Sequence, residues 1–388
     1  MLIGIASAQD RGPEPEPKKL SEVKPNGQPQ LVAFSHDGKS GTYWVRIPAK
    51  AKKDLASRAV LWMHGAHGSG FEHQQALGAI GLGKTEIVIC PNGASKNGPN
   101  NYDHGRDAAP LLAALDDVAA QWKLGSVFVG GHSAGAFATH AVLAAAPQRF
   151  AGALPCSGGA ASMLTPKGLL EKAGKAAPPI LIVHGEADPT VDGASDDRLY
   201  EGLLEAGWPA LRYLHPPDLD HSLDKIPLKE CFEWLFALGS DKPQELLAFA
   251  KQAAAGERPR DALHALDRAE SLKAPIAQVQ ALRKVALLRA AALGKEWAKK
   301  LETEKGQAEA VTKFYDARSG LFSIEEARPA FDALAKLQEV QARPAADALR
   351  EAQAVGTAAA FQTVLEKFPA AYPSVRTATG WLRKTAKK

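Results

Sequence analysis

Apolar and polar positions follow two regimes along the chain. Between Leu31 and Leu238, short runs of β-branched and aliphatic residues end at Gly, Pro or Asn and alternate with longer amphipathic stretches. That alternation predicts strands and helices in turn. Leu31 to Phe34 and Tyr43 to Ile47 flank a polar Asp37-Gly38 turn and predict an antiparallel hairpin. Four apolar runs, Ala59 to Met63, Glu86 to Cys90, Ser126 to Gly130 and Pro179 to Val183, predict buried parallel strands. Phe150 to Pro155 and Leu211 to His215 extend the series, and helical spacing marks Ala109 to Trp122, Ala134 to Ala146, Asp196 to Ala206 and Leu228 to Leu238. A hairpin feeding a βαβ series predicts an α/β fold, with a mostly parallel sheet and helices on both faces.

From about Asp241 the pattern is helical throughout, rich in Ala, Leu, Lys, Arg and Glu. Predicted helices cover Pro243 to Ala255, Pro259 to Leu272, Ile276 to Leu301, Ile324 to Gln341, Ala345 to Ala354, Ala358 to Lys367 and Ser374 to Thr385. An Arg-Pro pair recurs at Arg258-Pro259, Arg328-Pro329 and Arg343-Pro344, each followed by Asp-Ala-Leu, and reads as a helix start, since proline lacks only an N–H that has no partner in a first turn. The change of regime coincides with a change of composition. Of 34 glycines 28, and of 11 histidines ten, precede Ser240. From Asp241 onward 25 Lys and Arg face 18 Asp and Glu, a net +7 against −3 for the rest. Three regions are expected: 1–30, a Pro-rich disordered tether; 31–240, an α/β domain; and 241–388, an Ala-rich all-α region with a tetratricopeptide-like cast. The basic helices would suit a protein partner or an anionic surface.

Composition narrows the classes. At 45% apolar and 23% charged residues over 388 positions, the chain is of globular type. No run approaches the ~20 apolar residues of a spanning helix, so no membrane span is expected. Cys90, Cys156 and Cys231 allow one disulfide at most and no structural zinc site by themselves. Met1 to Ala8 ends in Ala6-Ser7-Ala8, a small-residue pattern like a signal-cleavage site, but the apolar run is short and lacks a basic start. A truncated signal would place the protein outside the cytoplasm, secreted or periplasmic; a plain tail would leave it cytoplasmic.

The chemistry concentrates before Ser240. Gly131-His132-Ser133-Ala134-Gly135 follows the strand Val127-Phe128-Val129 and opens an Ala-rich helix. Small flanking residues allow a sharp turn that pushes the Ser133 hydroxyl out beyond the sheet. A serine needs a histidine to take its proton and a carboxylate to orient that histidine. Asp188, in His184-Gly185-Glu186-Ala187-Asp188-Pro189 just beyond a strand, is the acid, with Glu186 and Asp192 as alternatives. His221, in a polar loop after the last strand, is the base, and His215 its competitor. The order Ser, Asp, His is that of an α/β-hydrolase. Backbone N–H groups of Ala134 and of Ala66, in the loop His64-Gly65-Ala66-His67-Gly68-Ser69-Gly70, are the candidate oxyanion donors. His64, His67 and His73 lack a carboxylate at zincin spacing, so no metal is expected, and no phosphate-loop pattern points to a nucleotide. His64, Tyr102, His104 and His132 are candidates for the substrate pocket.

Over Leu31 to Leu238 the chain resembles the α/β-hydrolase superfamily, and within it the phospholipase/carboxylesterase, polyhydroxybutyrate-depolymerase-like and feruloyl-esterase-like serine esterases. The matching residues are His64-Gly65, Gly68-Ser69-Gly70, Pro91-Asn92-Gly93, Asn101-Tyr102-Asp103, Gly131 to Gly135, His184-Gly185, Asp188 and His221. Ala136 departs from the pattern where many relatives carry a further glycine. The resemblance implies hydrolysis of acyl esters without metal or organic cofactor; an acyl-enzyme intermediate and no nucleic-acid partner are expected besides. Two other readings stay open at this point: a serine peptidase of the same fold, and an inactive hydrolase-like binding protein acting through its helices.

Overall fold

The computed structural model describes residues 14–93, 102, 108–159, 165–174, 177–302, 307–368 and 370. The chain divides into two compact units, Met1–Asp241 and Lys242–Lys388.

The first unit is built on one eight-stranded sheet: β1 (Pro29–His36), β2 (Lys39–Arg46), β3 (Ser57–Met63), β4 (Ile87–Pro91), β5 (Leu124–His132), β6 (Gly152–Cys156), β7 (Ile180–Val183) and β8 (Leu211–Leu214), in the order β1-β2-β4-β3-β5-β6-β7-β8. β1 and β2 form the expected hairpin, turned at Asp37 and Gly38 with φ of 49° and 71°. Paired positive φ values match the right-handed twist of the flanking strands. β2 also runs antiparallel to β4, and β3 to β8 are parallel. The continuous apolar runs are explained by burial on both faces: every residue from Val60 to Met63 and from Ile87 to Cys90 is inaccessible.

Helices α1 (Gly70–Ala79), α2 (Ala108–Gln121), α3 (Ala134–Ala145), α4 (Pro166–Ala173), α5 (Ala194–Glu205) and α6 (Leu228–Leu238) complete the unit. Trp62 of β3 packs against His73 of α1 and Phe232 of α6, which places α1 and α6 on one face. On the opposite face the Tyr43 hydroxyl donates to Asp117 of α2 at 2.6 Å, and α2 packs on α3.

Three expectations need correction here. The Pro-rich segment is not a free tether over its second half: Lys18 donates to Leu31 and accepts from Ala33, and Leu20 and Val23 are buried. Helix α1 was not expected, because it buries His73 and Gln74 in place of an apolar stripe. Its start is nevertheless written in the sequence as a capping box, with Ser69 accepting from the Glu72 amide and Glu72 from the Ser69 amide. The short helix α4 was likewise not among the expected helices.

The second unit comprises α7 (Pro243–Ala255), α8 (Pro259–Ser271), α9 (Ile276–Glu302), α10 (Gln307–Ala317), α11 (Arg328–Val355) and α12 (Ala358–Lys367). Its core gathers Leu293, Val311, Phe314, Leu321, Ala330 and Leu334. Proline opens α7 and α8 as expected. Pro344 does not start a helix: α11 runs unbroken through it. Pro344 and Val340, whose carbonyl loses its partner, both lie exposed, so water can satisfy the carbonyl. Helix α10 was not expected, and the expected helix at Ser374 to Thr385 lies outside the described residues.

Candidate active site

The end of β5 and the start of α3 meet in a turn whose geometry demands its sequence. Ser133 has φ 56° and ψ −119°, a conformation that a side-chain-bearing residue adopts only under constraint. A Cβ at Gly131 would lie 2.4 Å from the Gly135 carbonyl oxygen, and one at Gly135 would lie 2.2 Å from that of Met63. Both glycines are therefore required by close backbone approach. The Ser133 amide donates to the Cys156 carbonyl of β6 at 2.9 Å, which pins the turn to the sheet.

The Ser133 hydroxyl lies 2.9 Å from His221 Nε2, and His221 Nδ1 donates to Asp188 Oδ2 at 2.7 Å. Three segments, 88 and 33 residues apart in sequence, thus form one hydrogen-bonded chain. Asp188 is buried and His221 partly exposed. The Thr190 and Val191 amides donate to Asp188 Oδ1 at 2.7 and 3.0 Å. Burial opposes the carboxylate's charge, but the His221 N–H and these two amides outweigh it and hold the group below its ordinary value.

The rejected alternatives are committed elsewhere. His215 Nδ1 and Glu186 Oε1 bond each other at 3.1 Å, and Asp192 accepts from the Ala194 amide at the start of α5.

Ala134 opens α3, where first-turn amides have no partner within the helix. Ala66 lies exposed in the turn after β3, next to Gly65, whose Cβ position is 3.4 Å from Ser133 Cβ. Both amides therefore belong to segments that flank the serine.

Two expected pocket residues are instead part of the scaffold. Tyr102 is buried; its hydroxyl donates to the Pro91 carbonyl at 2.8 Å and accepts from the His64 amide at 3.1 Å, clamping the loop after β3 to the end of β4. The His64 ring is inaccessible, bonded to the Gly65 carbonyl at 2.7 Å and the Gly93 amide at 3.4 Å. Burial pushes it down to about 4, so it is neutral near pH 7. His132 Nε2 donates to the His221 carbonyl at 2.8 Å and braces the loop that carries His221. Burial, with the neighbouring His221, pushes it down to about 4 as well. His104 lies outside the described residues. His73 accepts from the Trp62 indole at 2.8 Å, so the His64 and His73 rings are engaged in bonds that a metal would have to break. The three cysteines are buried free thiols.

Sequence reasoning passed over Asp196, although the end of β7 and the first turn of α5 bring it against His184 at 2.7 Å. Nothing in the spacing of His184 and Asp196 announces that contact.

The strand order, the crossovers between β3 and β7 and the serine on the β5–α3 turn define the α/β-hydrolase fold. No family model and no curated protein matches the chain. Among solved structures it is similar to a thermostable esterase (20% identity, TM-score 0.44, over 54% of this chain and 62% of that one). It is also similar to Zea mays acyl-protein thioesterase 2 (20%, TM-score 0.41, over 51% and 99%) and to the acetyl xylan esterase of Aspergillus awamori (17%, TM-score 0.44, over 53% and 98%). The chain thus spans less than two thirds of the first of these. At such identities and scores the likeness adds nothing at residue level, where the geometry stands alone.

Proposed function

We propose that the protein is a serine esterase that hydrolyses carboxylic esters through an acyl-enzyme. The observation that carries this reading is the hydrogen-bonded chain Ser133–His221–Asp188, with its serine held at positive φ. Ser133 Oγ attacks the ester carbonyl carbon while its proton passes to His221 Nε2. The carbonyl oxygen, now negative, is received by the Ala66 amide in the turn after β3 and by the Ala134 amide at the N-terminal end of α3, where the helix dipole favours negative charge. Collapse of the adduct breaks the bond to the alcohol oxygen, which takes the proton from His221. Water then gives a proton to His221 as its oxygen attacks the acyl carbon; the bond from that carbon to Ser133 Oγ breaks, Oγ takes the proton back from His221, and the acid leaves. Asp188 fixes the tautomer that leaves Nε2 free to accept.

Substitution of the two competing histidines tests the reading. His221→Gln should lower kcat/KM on a short activated acyl ester by at least ~10³-fold, with His215→Gln within a few-fold of the native enzyme. Equal losses in both, or a loss confined to His215→Gln, would overturn the assignment.

A further inference from the structure

His184 stands at the end of β7, its side chain only 1% exposed, with an acceptor at each ring nitrogen. Nδ1 faces Asp196 Oδ2 at 2.7 Å. Nε2 faces the Val191 carbonyl oxygen at 3.1 Å and Asp188 Oδ2 at 3.5 Å. Neither a carbonyl nor a carboxylate can donate. A neutral imidazole carries one N–H and would turn a lone pair toward one of these oxygens, whereas the imidazolium donates at both positions.

The charge balance points the same way. The side chains of Asp188 and Asp196 are both 1% exposed, and a buried carboxylate without a counter-charge is strongly disfavoured. Neither His140, His132 nor the Cys156 thiol supplies that counter-charge. Burial lowers His140, which stands 3.9 Å from Asp196, and His132 is pushed down to about 4. Burial likewise raises the Cys156 thiol. Glu186 is turned to His215, and Gly193 covers the His184 ring without charge.

We propose that His184 is a fixed imidazolium and a positioning residue: it neutralises one of the two buried carboxylates, keeps Asp188 ionised, and ties the Asp188 loop to α5. The proposal rests on the reading of Ser133, His221 and Asp188 as a triad. With His184 charged, the resting cluster of Asp188, Asp196, His184 and neutral His221 carries one net negative charge. That charge is cancelled when His221 takes the serine proton. Burial works against the charge on His184, yet the bond and the field of Asp196, with the Val191 carbonyl and Asp188, carry the group above its ordinary value.

The direct test is the ring spectrum of the full-length protein labelled with ¹⁵N-histidine, the His184 signals assigned from a His184→Gln sample. At about pH 8, where a free imidazole is neutral, both His184 nitrogens should carry protons. A single protonated nitrogen would overturn the proposal. Asp196→Asn should let the neutral form of His184 appear at that pH; persistence of the full charge would remove Asp196 from the account. In turnover, His184→Gln deletes a positive charge beside Asp188 and so favours the protonated base. The acid limb of kcat/KM should move to higher pH by about half a unit to one unit, a loss of roughly 3- to 10-fold at a fixed pH on that limb. A purely structural role would lower turnover at every pH and leave the limb in place. If that variant does not fold, the native spectrum still decides. Failure of the triad reading would appear separately, as an unreactive Ser133 in a protein whose His184 is doubly protonated.

Discussion

The two units solve the burial problem in different ways. In the helical unit, amphipathic helices bury Leu293, Phe314, Leu321 and Leu334 against one another, and its non-glycine residues at positive φ, Lys273 and Ser323, lie outside its α-helices. Lys273 sits just beyond the end of α8, where such a conformation satisfies terminal carbonyls. In the sheet unit, apart from Asp37 in the β1–β2 turn, the equivalent conformations fall at Ser133, at His67 in the turn after β3 and at Ser157 after β6. These are the C-terminal ends of three adjacent parallel strands. In the sheet unit the strain gathers around Ser133, at one end of the parallel strands, while in the helical unit it closes the ends of elements.

The largest contrast lies in separating turnover from stability. Ser133→Ala should cost at least ~10³-fold in kcat/KM with the melting temperature unchanged, since the side chain fills no core. Phe314→Ala should do the reverse: it empties a buried ring site in the helical core at about 3–5 kcal/mol, with small-ester turnover kept below the new melting transition. Turnover that falls with Phe314→Ala at low temperature would mean the two units are not independent.

Glycines sharpen the same comparison. Gly135→Ala drives a methyl to within 2.2 Å of the Met63 carbonyl oxygen and should destabilise the sheet unit by about 3 kcal/mol and inactivate it. Gly356 after α11 has φ 69° and open space around it, so Gly356→Ala meets only backbone strain, about 1 kcal/mol. Urea unfolding of both variants measures the pair. Similar losses would show that close approach is not the constraint at Gly135.

Acid should divide the units next. His64 and His132 titrate at about 4 in the folded protein against an ordinary 6.5, and buried His73 and His140 are lowered too. A group with a depressed folded value binds its proton first in the unfolded chain. Its contribution is therefore complete above about 6.5 and is lost as pH falls toward 4. His64 and His132, lowered to about 4, account for at most about 3 kcal/mol each. The helical unit carries one of this kind, His264. Hydrogen exchange followed by mass spectrometry between these pH values should show the sheet unit opening first; the opposite order would contradict the assignment of these rings as buried and neutral.

The same contrast explains what the sequence disclosed. Strands such as Ala59 to Met63 were legible because both faces are buried and the apolar run is unbroken. Ser133 was legible because a strand–turn–helix context leaves the motif one meaning, and Asp188 and His221 followed from chain order. Helix α1 was hidden because it buries polar side chains that bond Trp62, Trp44 and Val88. The Pro344 break misled because a solvated face tolerates a missing hydrogen bond. His64 and Tyr102 were assigned to the pocket since spacing places a residue near a strand end but not the direction of its side chain. The His184–Asp196 contact arises only when β7 and α5 come together, and no local periodicity encodes it.

The central claim is that Ser133 is activated by His221. Incubation of the full-length protein with a fluorophosphonate, followed by intact-mass measurement, reads that activation without any assumption about the acyl or alcohol part of the substrate. The account predicts rapid, stoichiometric formation of one adduct, no adduct in Ser133→Ala, and labelling slowed by at least ~10³-fold in His221→Gln. An unlabelled native protein, or an adduct that persists in Ser133→Ala, would contradict it.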